Sequence, residues 1–287
     1  VLARWGVAMF FLSAFADEYD LDFDKQLQGL KQNHLQYIEV RNADGINVAQ
    51  WPENKATEIA EKLNKYNIQV SAIGSPLGKV SADCAMSEYI KTIENVCYIA
   101  DILSCNLIRI FSFYRPDGMS DPAYKNTVFD KTEKMLHVAA RYNKQLCLEN
   151  EAGLYGESPE KCLELLDCFG GVLKCCFDMG NFRLQGYDPY PAAYELLKKY
   201  IAYFHIKDSF DHGAIVPAGC GNAKIKEILT AYDREFGRDC FVSVEPHLVT
   251  FDGLNDLTSE KIEHKFVYAT KEAAFADAVQ RFRLLMQ

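Results

Sequence analysis

Gln145-Leu146-Cys147-Leu148-Glu149-Asn150-Glu151 is a short apolar run that ends abruptly in acids. Its first residues have the length and character of a buried strand, and the polar group begins where such a strand leaves a core. The same transition recurs three times downstream. Cys175-Cys176-Phe177-Asp178-Met179-Gly180-Asn181, Tyr203-Phe204-His205-Ile206-Lys207-Asp208 and Val242-Ser243-Val244-Glu245-Pro246-His247 each pass from apolar residues to an acid or a histidine. Successive transitions lie about one strand-plus-helix unit apart, the last after a longer connection.

Outward from these four units, the whole chain has the same rhythm. Strands are predicted over Ala8–Phe15, Tyr37–Arg41, Gln69–Ile73, Leu107–Phe111, Gln145–Glu149, Leu173–Asp178, Ala202–Lys207 and Cys240–Glu245. Helical patterns lie between and after them, at Phe23–Asn33, Asn54–Tyr66, Met86–Ser104, Ala123–Tyr142, Pro159–Cys168, Pro189–Tyr200, Asn222–Phe236 and Glu263–Met286. Eight strands, each followed by a helix, predict an α/β fold, a single-domain (β/α)8 TIM barrel over residues 1–287, with residues 1–8 as a lead segment. A doubly wound open sheet usually has a glycine-rich turn after its first strand, whereas here that strand runs into Phe15-Ala16-Asp17-Glu18. Ser158-Pro159-Glu160 and Asp188-Pro189 predict capped helix starts with proline in the first turn. Asn222, after Gly219-Cys220-Gly221, is the expected cap of the seventh helix.

With 49% hydrophobic residues the chain has enough apolar surface for a large core. The net charge of −9 repels phosphate backbones and no dense Lys/Arg run offsets it, so no nucleic-acid partner is expected. Most of the ten cysteines sit inside apolar runs without zinc-type spacing. They read as free thiols of a reducing cytoplasm. No run approaches the roughly 18 apolar residues of a membrane span, so no membrane partner is expected. The opening Val1–Ala16 stretch has an arginine before apolar residues and a cleavage-like Ala14-Phe15-Ala16, but acids follow at once, and a first strand is the better reading.

In a barrel of this kind the strand C-termini converge on one face, which carries the chemistry. Alternation along a strand turns Tyr203, His205 and Lys207 inward and Phe204 and Ile206 toward the helices. It likewise turns Ser243, Glu245 and His247 inward. Glu149, Asp178, His205 and Glu245 thus meet at one mouth. Three carboxylates there would repel one another strongly unless a cation lay between them. Three oxygen donors and one imidazole suit a single divalent ion, Mn, Mg, Co or Zn, and a four-ligand shell leaves positions for substrate or water.

The strand ends LENE, FDMGN, FHIKD and VEPHL resemble the xylose-isomerase-like superfamily of sugar phosphate isomerases and epimerases, including tagatose 3-epimerase-like and inosose dehydratase-like members. The resemblance covers essentially the whole chain, and the ordered set is more specific than any one motif. It implies that Glu149, Asp178, His205 and Glu245 bind one metal, and that Glu149 and Glu245 also move protons at the substrate carbon. The implied activity is a metal-dependent sugar or sugar-phosphate isomerase or epimerase, acting by proton transfer beside a carbonyl through a metal-stabilised enediolate. The implied partner is a small carbohydrate or keto-acid, and homo-oligomers are common in the family. Asn181 stands where tagatose-epimerase-like members place a substrate-binding histidine, which leaves the substrate open. A dehydratase acting on a keto-polyol such as an inosose, and a non-catalytic sugar-binding barrel, are the alternatives. An endonuclease IV-like reading would need many more histidine ligands than His205 alone.

Further candidates line the same mouth. Lys207 is expected to hold a substrate oxyanion or to pair with Glu149, Glu151 or Asp178. Arg109, a charge inside an apolar strand, needs a partner such as Glu39 or Glu149, or a substrate. Glu39 and Arg41 share a face and are expected to pair with each other or with Arg109. Asp17 and Glu18 are expected at the rim. Asn181, His247, Glu151 and Asp208 complete the candidate substrate contacts, with Phe15, Phe111, Phe113 and Tyr114 as candidate walls. The loop Ile215–Gly221 is expected to shape the site or to offer backbone N–H groups to the substrate.

Overall fold

The computed structural model describes residues 3–4, 9–211, 213–249, 263–264 and 266–287. Eight parallel strands form a nearly closed barrel: β1 (Met9–Ala14), β2 (Tyr37–Val40), β3 (Gln69–Ile73), β4 (Leu107–Ile110), β5 (Gln145–Glu149), β6 (Lys174–Asp178), β7 (Ile201–Ile206) and β8 (Cys240–Val244). Ladders join β2 through β8 in order, and β8 returns to β1 with Ser243 opposite Ser13. β1 and β2 lie side by side without a ladder among the described residues. A short strand at Ala3–Arg4 pairs antiparallel with Met9–Phe10. The rest of the expected lead segment lies outside the described residues.

The helices that sheathe the barrel are amphipathic, and their apolar stripes meet the outward residues of the strands. In α1 (Phe23–Gln32) Phe23, Leu27 and Leu30 are buried, and in α2 (Glu53–Tyr66) Ala56, Ile59 and Leu63 are buried. Each large side chain so covered contributes about 1.5–3 kcal/mol relative to exposure in water. The ring continues with α3 (Met86–Ile102), α4 (Asp121–Arg141) and α5 (Pro159–Cys168). Ser158 caps α5 as its sequence predicts, accepting from the Lys161 N–H. A short α6 (Met179–Leu184) follows β6 directly.

The sixth predicted helix is a chain of helical turns, Pro189–Ala193, α7 (Tyr194–Leu197) and Lys198–Tyr200. Tyr190, which precedes Pro191, takes an extended backbone (φ −147°, ψ 127°), as residues before proline favour, and this breaks regular helix. Two further expectations are corrected. The seventh helix, α8, spans Ile225–Phe236, and Lys224 in a left-handed conformation precedes it, so Asn222 is not its cap. The last helix, α9, spans only Lys271–Leu285, with Thr270 as its cap. Glu263–His264, expected to begin it, instead pairs as a short strand with Ala214–Ile215.

The barrel interior is layered. At the strand N-termini Tyr37 packs edge to face on Phe11 and Phe241, which meet each other at a tilt. Above them the Ser13 and Ser71 hydroxyls meet at 2.7 Å. The upper layer is almost entirely ionisable, and its members are buried. Gly180 lets α6 press onto the end of β7, because a Cβ there would lie 2.6 Å from the Lys207 Cβ. No helix among the described residues is long and apolar enough to cross a membrane.

Candidate metal centre

Glu149 and Asp178 are the last residues of β5 and β6, His205 lies in β7, and Glu245 follows β8 directly. Strand register sets Asp178 opposite His205, and the Glu245 N–H donates to the Ile206 carbonyl, which locks the two last strand ends together. All four side chains are buried, and each offers one ligand atom within 4.8 Å of those of the other three. His205 presents Nδ1 to the acids, 2.8 Å from Glu149 Oε1, 3.3 Å from Glu245 Oε2 and 3.9 Å from Asp178 Oδ2. Four residues far apart in sequence therefore converge as their positions at strand ends predict.

A donor set of three carboxylates and one imidazole, buried and this tightly grouped, fits one divalent cation. Each glutamate turns one oxygen into the group and gives the other to an arginine. Arg109 Nη1 lies 3.1 Å from Glu149 Oε2, and Arg41 Nη1 lies 2.7 Å from Glu245 Oε1. Lys207 Nζ reaches Asp178 Oδ2 at 3.0 Å and Glu245 Oε2 at 3.1 Å.

These partners decide the charge states. Burial raises the Glu149 pKa, but His205 and Arg109 outweigh it and bring the carboxyl down to about 2. Burial also raises Glu245, and Lys207 and His247 more than reverse it. Asp178 is different: burial dominates and raises its pKa to about 6 despite Lys207. Asp178 also caps α6 through the Asn181 N–H at 2.7 Å. Asn150 fixes the end of β6, accepting from the Asp178 N–H and donating to its carbonyl.

The other predicted residues separate by position. Asn181 is buried beside the group and accepts from Lys207 at 2.9 Å. His247 is buried with φ +45°, and its Nε2 lies 3.4 Å from Glu245 Oε1. Glu151 sits further out, paired with Lys79 at 2.8 Å. Asp208 points into the loop instead, accepting from the N–H groups of Gly219, Gly221, Ala223 and Ser209. The N–H groups of Gly219 and Gly221, expected to face a substrate, are thus bound to Asp208.

Two expectations for the first two strands are corrected. Glu39 and Arg41 do not pair with each other: Arg41 reaches Asp17, Glu18 and Glu245, while Glu39 faces Tyr203 and His205. Asp17 and Glu18 are both buried against Arg41; Asp17 still lines the cleft, as expected, whereas Glu18 does not. Burial pushes the Glu18 carboxyl up to about 8. Alternation placed Glu39 and Arg41 on one face, but only the barrel closure sets which acid each meets.

A cleft of about 730 Å³ opens over the first four strands, with Asp17, Asn42, Lys79, Tyr89, Arg109 and Phe111 in its wall. Arg109 is common to the cleft and to the carboxylate group, so the two are contiguous. Lys79 and Arg109 both stack on the Phe111 ring, at 4.7 and 4.6 Å. Phe15 instead meets the His205 ring edge-on at 5.1 Å, inside the barrel. Lys79 and Asn42 carry no sequence signal beyond a loop position and become candidates only through the fold.

A family model described as xylose isomerase-like TIM barrel matches residues 28–265. None of the curated proteins compared matches the sequence. Among solved structures, the D-allulose 3-epimerase from Methylomonas sp. in complex with D-allulose superposes with a TM-score of 0.74 at 12% identity, covering 97% of each chain. The IOLI protein with a bound zinc atom gives 0.72 at 17% identity, covering 96% of this chain and 98% of that one. The probable 3-DHS dehydratase AsbF from Bacillus anthracis gives 0.70 at 17% identity, again over 96% and 98%. At these identities the likeness to solved structures shows the fold, while the chemistry depends on the chain's own residues.

Proposed function

The chain belongs to the xylose isomerase-like TIM barrel family, and from that premise we propose that it is a divalent-metal-dependent isomerase or epimerase of a small polyhydroxy ketone. The observation that carries this reading is the mutual approach of Glu149, Asp178, His205 and Glu245 within 4.8 Å. Glu149, Asp178, His205 and Glu245 would hold the metal, Mn, Mg, Co or Zn. Bound there, it supplies Lewis acidity toward a carbonyl and its neighbouring hydroxyl, which lowers the acidity barrier at the adjacent carbon.

The chain's own residues do the rest. Glu149 and Glu245 are held ionised, the form in which a carboxylate binds a cation or accepts a proton. Arg109 and Arg41 fix their outer oxygens and so orient the inner ones. One glutamate removes the proton beside the carbonyl, giving an enediolate, and a proton returns from the other or the same one. Return on the opposite face inverts the centre, and return at the neighbouring carbon moves the carbonyl. Lys207, Asn181 and His247, beside the group, contact substrate oxygens, while Arg109 lines the cleft and Glu151 holds Lys79 in its wall.

A dehydratase is a second reading, favoured by the Lys207 ammonium beside Glu245. Burial lowers the Lys207 pKa, but Asp178 and Glu245 outweigh it and raise the pKa, so the ammonium would hydrogen-bond a departing hydroxyl. The glutamate that removed the first proton would return it to that hydroxyl as water leaves.

One experiment addresses both. The manganese-loaded protein is incubated with D-allulose, D-tagatose and a keto-inositol in D2O and followed by NMR. Deuterium is expected to enter beside the carbonyl of at least one of them, with Glu149→Gln and Glu245→Gln lowering the rate by about 10²–10⁴-fold. Loss of water from the substrate selects the dehydratase. Exchange that persists at full rate in both variants, or after complete chelation, removes the proposal, and so does binding of these ketones without any exchange.

A further inference from the structure

His205 is held from both sides. Nδ1 faces the candidate ligands, while Nε2 lies 3.2 Å from each oxygen of Glu39 on β2, across the barrel. Glu39 is fully buried, and its Oε1 also accepts from the Tyr203 hydroxyl at 2.9 Å. Tyr203 and His205 are inward neighbours on β7, so one carboxylate grips two side chains of that strand. Acceptors face both ring nitrogens; a cation among Glu149, Asp178 and Glu245 would take the place of the Nδ1 hydrogen, whereas Glu39 offers Nε2 only acceptors and keeps the Nε2 hydrogen in place. The lone pair offered to a cation is then that of Nδ1, which points at Glu149, Asp178 and Glu245.

Resting on the metal reading above, we infer that Glu39, fixed by Tyr203, is the positioning residue that selects the Nδ1-ligating tautomer of His205. It touches neither substrate nor metal. It acts by setting which nitrogen is offered and by making that nitrogen more electron-rich, as carboxylate partners of metal-bound histidines do. A purely structural Glu39 would stabilise the barrel with no effect on the cation.

The test compares the full chain with Glu39→Gln and with Tyr203→Phe. Mn²⁺ affinity is measured by EPR titration, and the His205 nitrogens are read by ¹⁵N NMR in the zinc-loaded protein. The unfolding midpoint is recorded without metal. Glu39→Gln is expected to weaken Mn²⁺ binding by about 10–100-fold. Tyr203→Phe, which removes only a hydroxyl, is expected to weaken it in the same direction by less. Zinc is expected on Nδ1 with the proton on Nε2. Unchanged affinity in a folded Glu39→Gln, or zinc on Nε2, overturns the inference and leaves the metal reading standing. If Glu39→Gln does not fold, Tyr203→Phe decides, and wild-type affinity there overturns the inference. No Mn²⁺ binding by the unaltered protein overturns both.

Discussion

His205 concentrates the electrostatic problem of this barrel. Burial pushes the ring toward its neutral form, but Cys176, Glu149 and Glu39 outweigh it and hold its pKa well above the usual histidine value. Without a cation the ring is therefore protonated near neutrality and stands in for one among the acids. Binding through Nδ1 must displace that proton. Affinity should rise with pH below the raised pKa and level off above it. Calorimetric titration of Mn²⁺ in two buffers of different ionisation heat should report release of about one proton per metal near pH 7. Buffer-independent heats would exclude a protonated His205 as ligand.

At the level of elements, the mouth depends on loops that are themselves held by buried acids. Asp208 is the clearest, because its two oxygens accept four backbone N–H groups of one connection. Gly221 permits this approach, since a Cβ there would lie 2.3 Å from Asp208 Oδ1. In Asp208→Asn one acceptor oxygen becomes an NH2 that faces backbone donors. The expected cost is about 1–3 kcal/mol, read as a lower urea midpoint at constant slope. A midpoint equal to wild type would mean that the loop does not depend on this carboxylate. The recurring strand-to-acid transition made Asp208 visible in the sequence, but alternation could not say that it turns into the loop. That depends on the Ala214–Val216 strand folding back to pair with Asp208–Ser209.

Across the whole molecule, the acids and bases of the mouth come from six of the eight strands or their ends, so a cation there would tie together strands remote in sequence. Such a ligand stabilises the folded chain by mass action, about 2.7 kcal/mol when it is present at 100 times its dissociation constant. Mn²⁺ is expected to raise the thermal midpoint by several degrees, and Glu149→Gln to abolish most of that rise, with scanning calorimetry as the check. A midpoint insensitive to Mn²⁺ would contradict a site assembled from these strands. All ten cysteines are free, so dithiothreitol is expected to leave the midpoint unchanged.

The fold and the convergence of Glu149, Asp178, His205 and Glu245 are legible in the sequence, because a strand's exit from a core has a local signature. Apolar residues alternate and then give way to acids, and parallel strands in order bring those exits to one rim. Local signals failed where pairing crosses the barrel. That Glu39 serves His205, that Arg41 serves Glu245 and that Asp17 and Glu18 are buried follow from closure, which brings β2 opposite β7 and β8. The ends of the last helices failed for a similar reason, since Glu263–His264 pairs with a strand far back in the chain. Sequence by itself determined which strand ends bring Glu149, Asp178, His205 and Glu245 to the mouth. Tertiary structure alone decided which of them face one another, because a charge buried away from water takes its partner from whatever the closed barrel sets across from it.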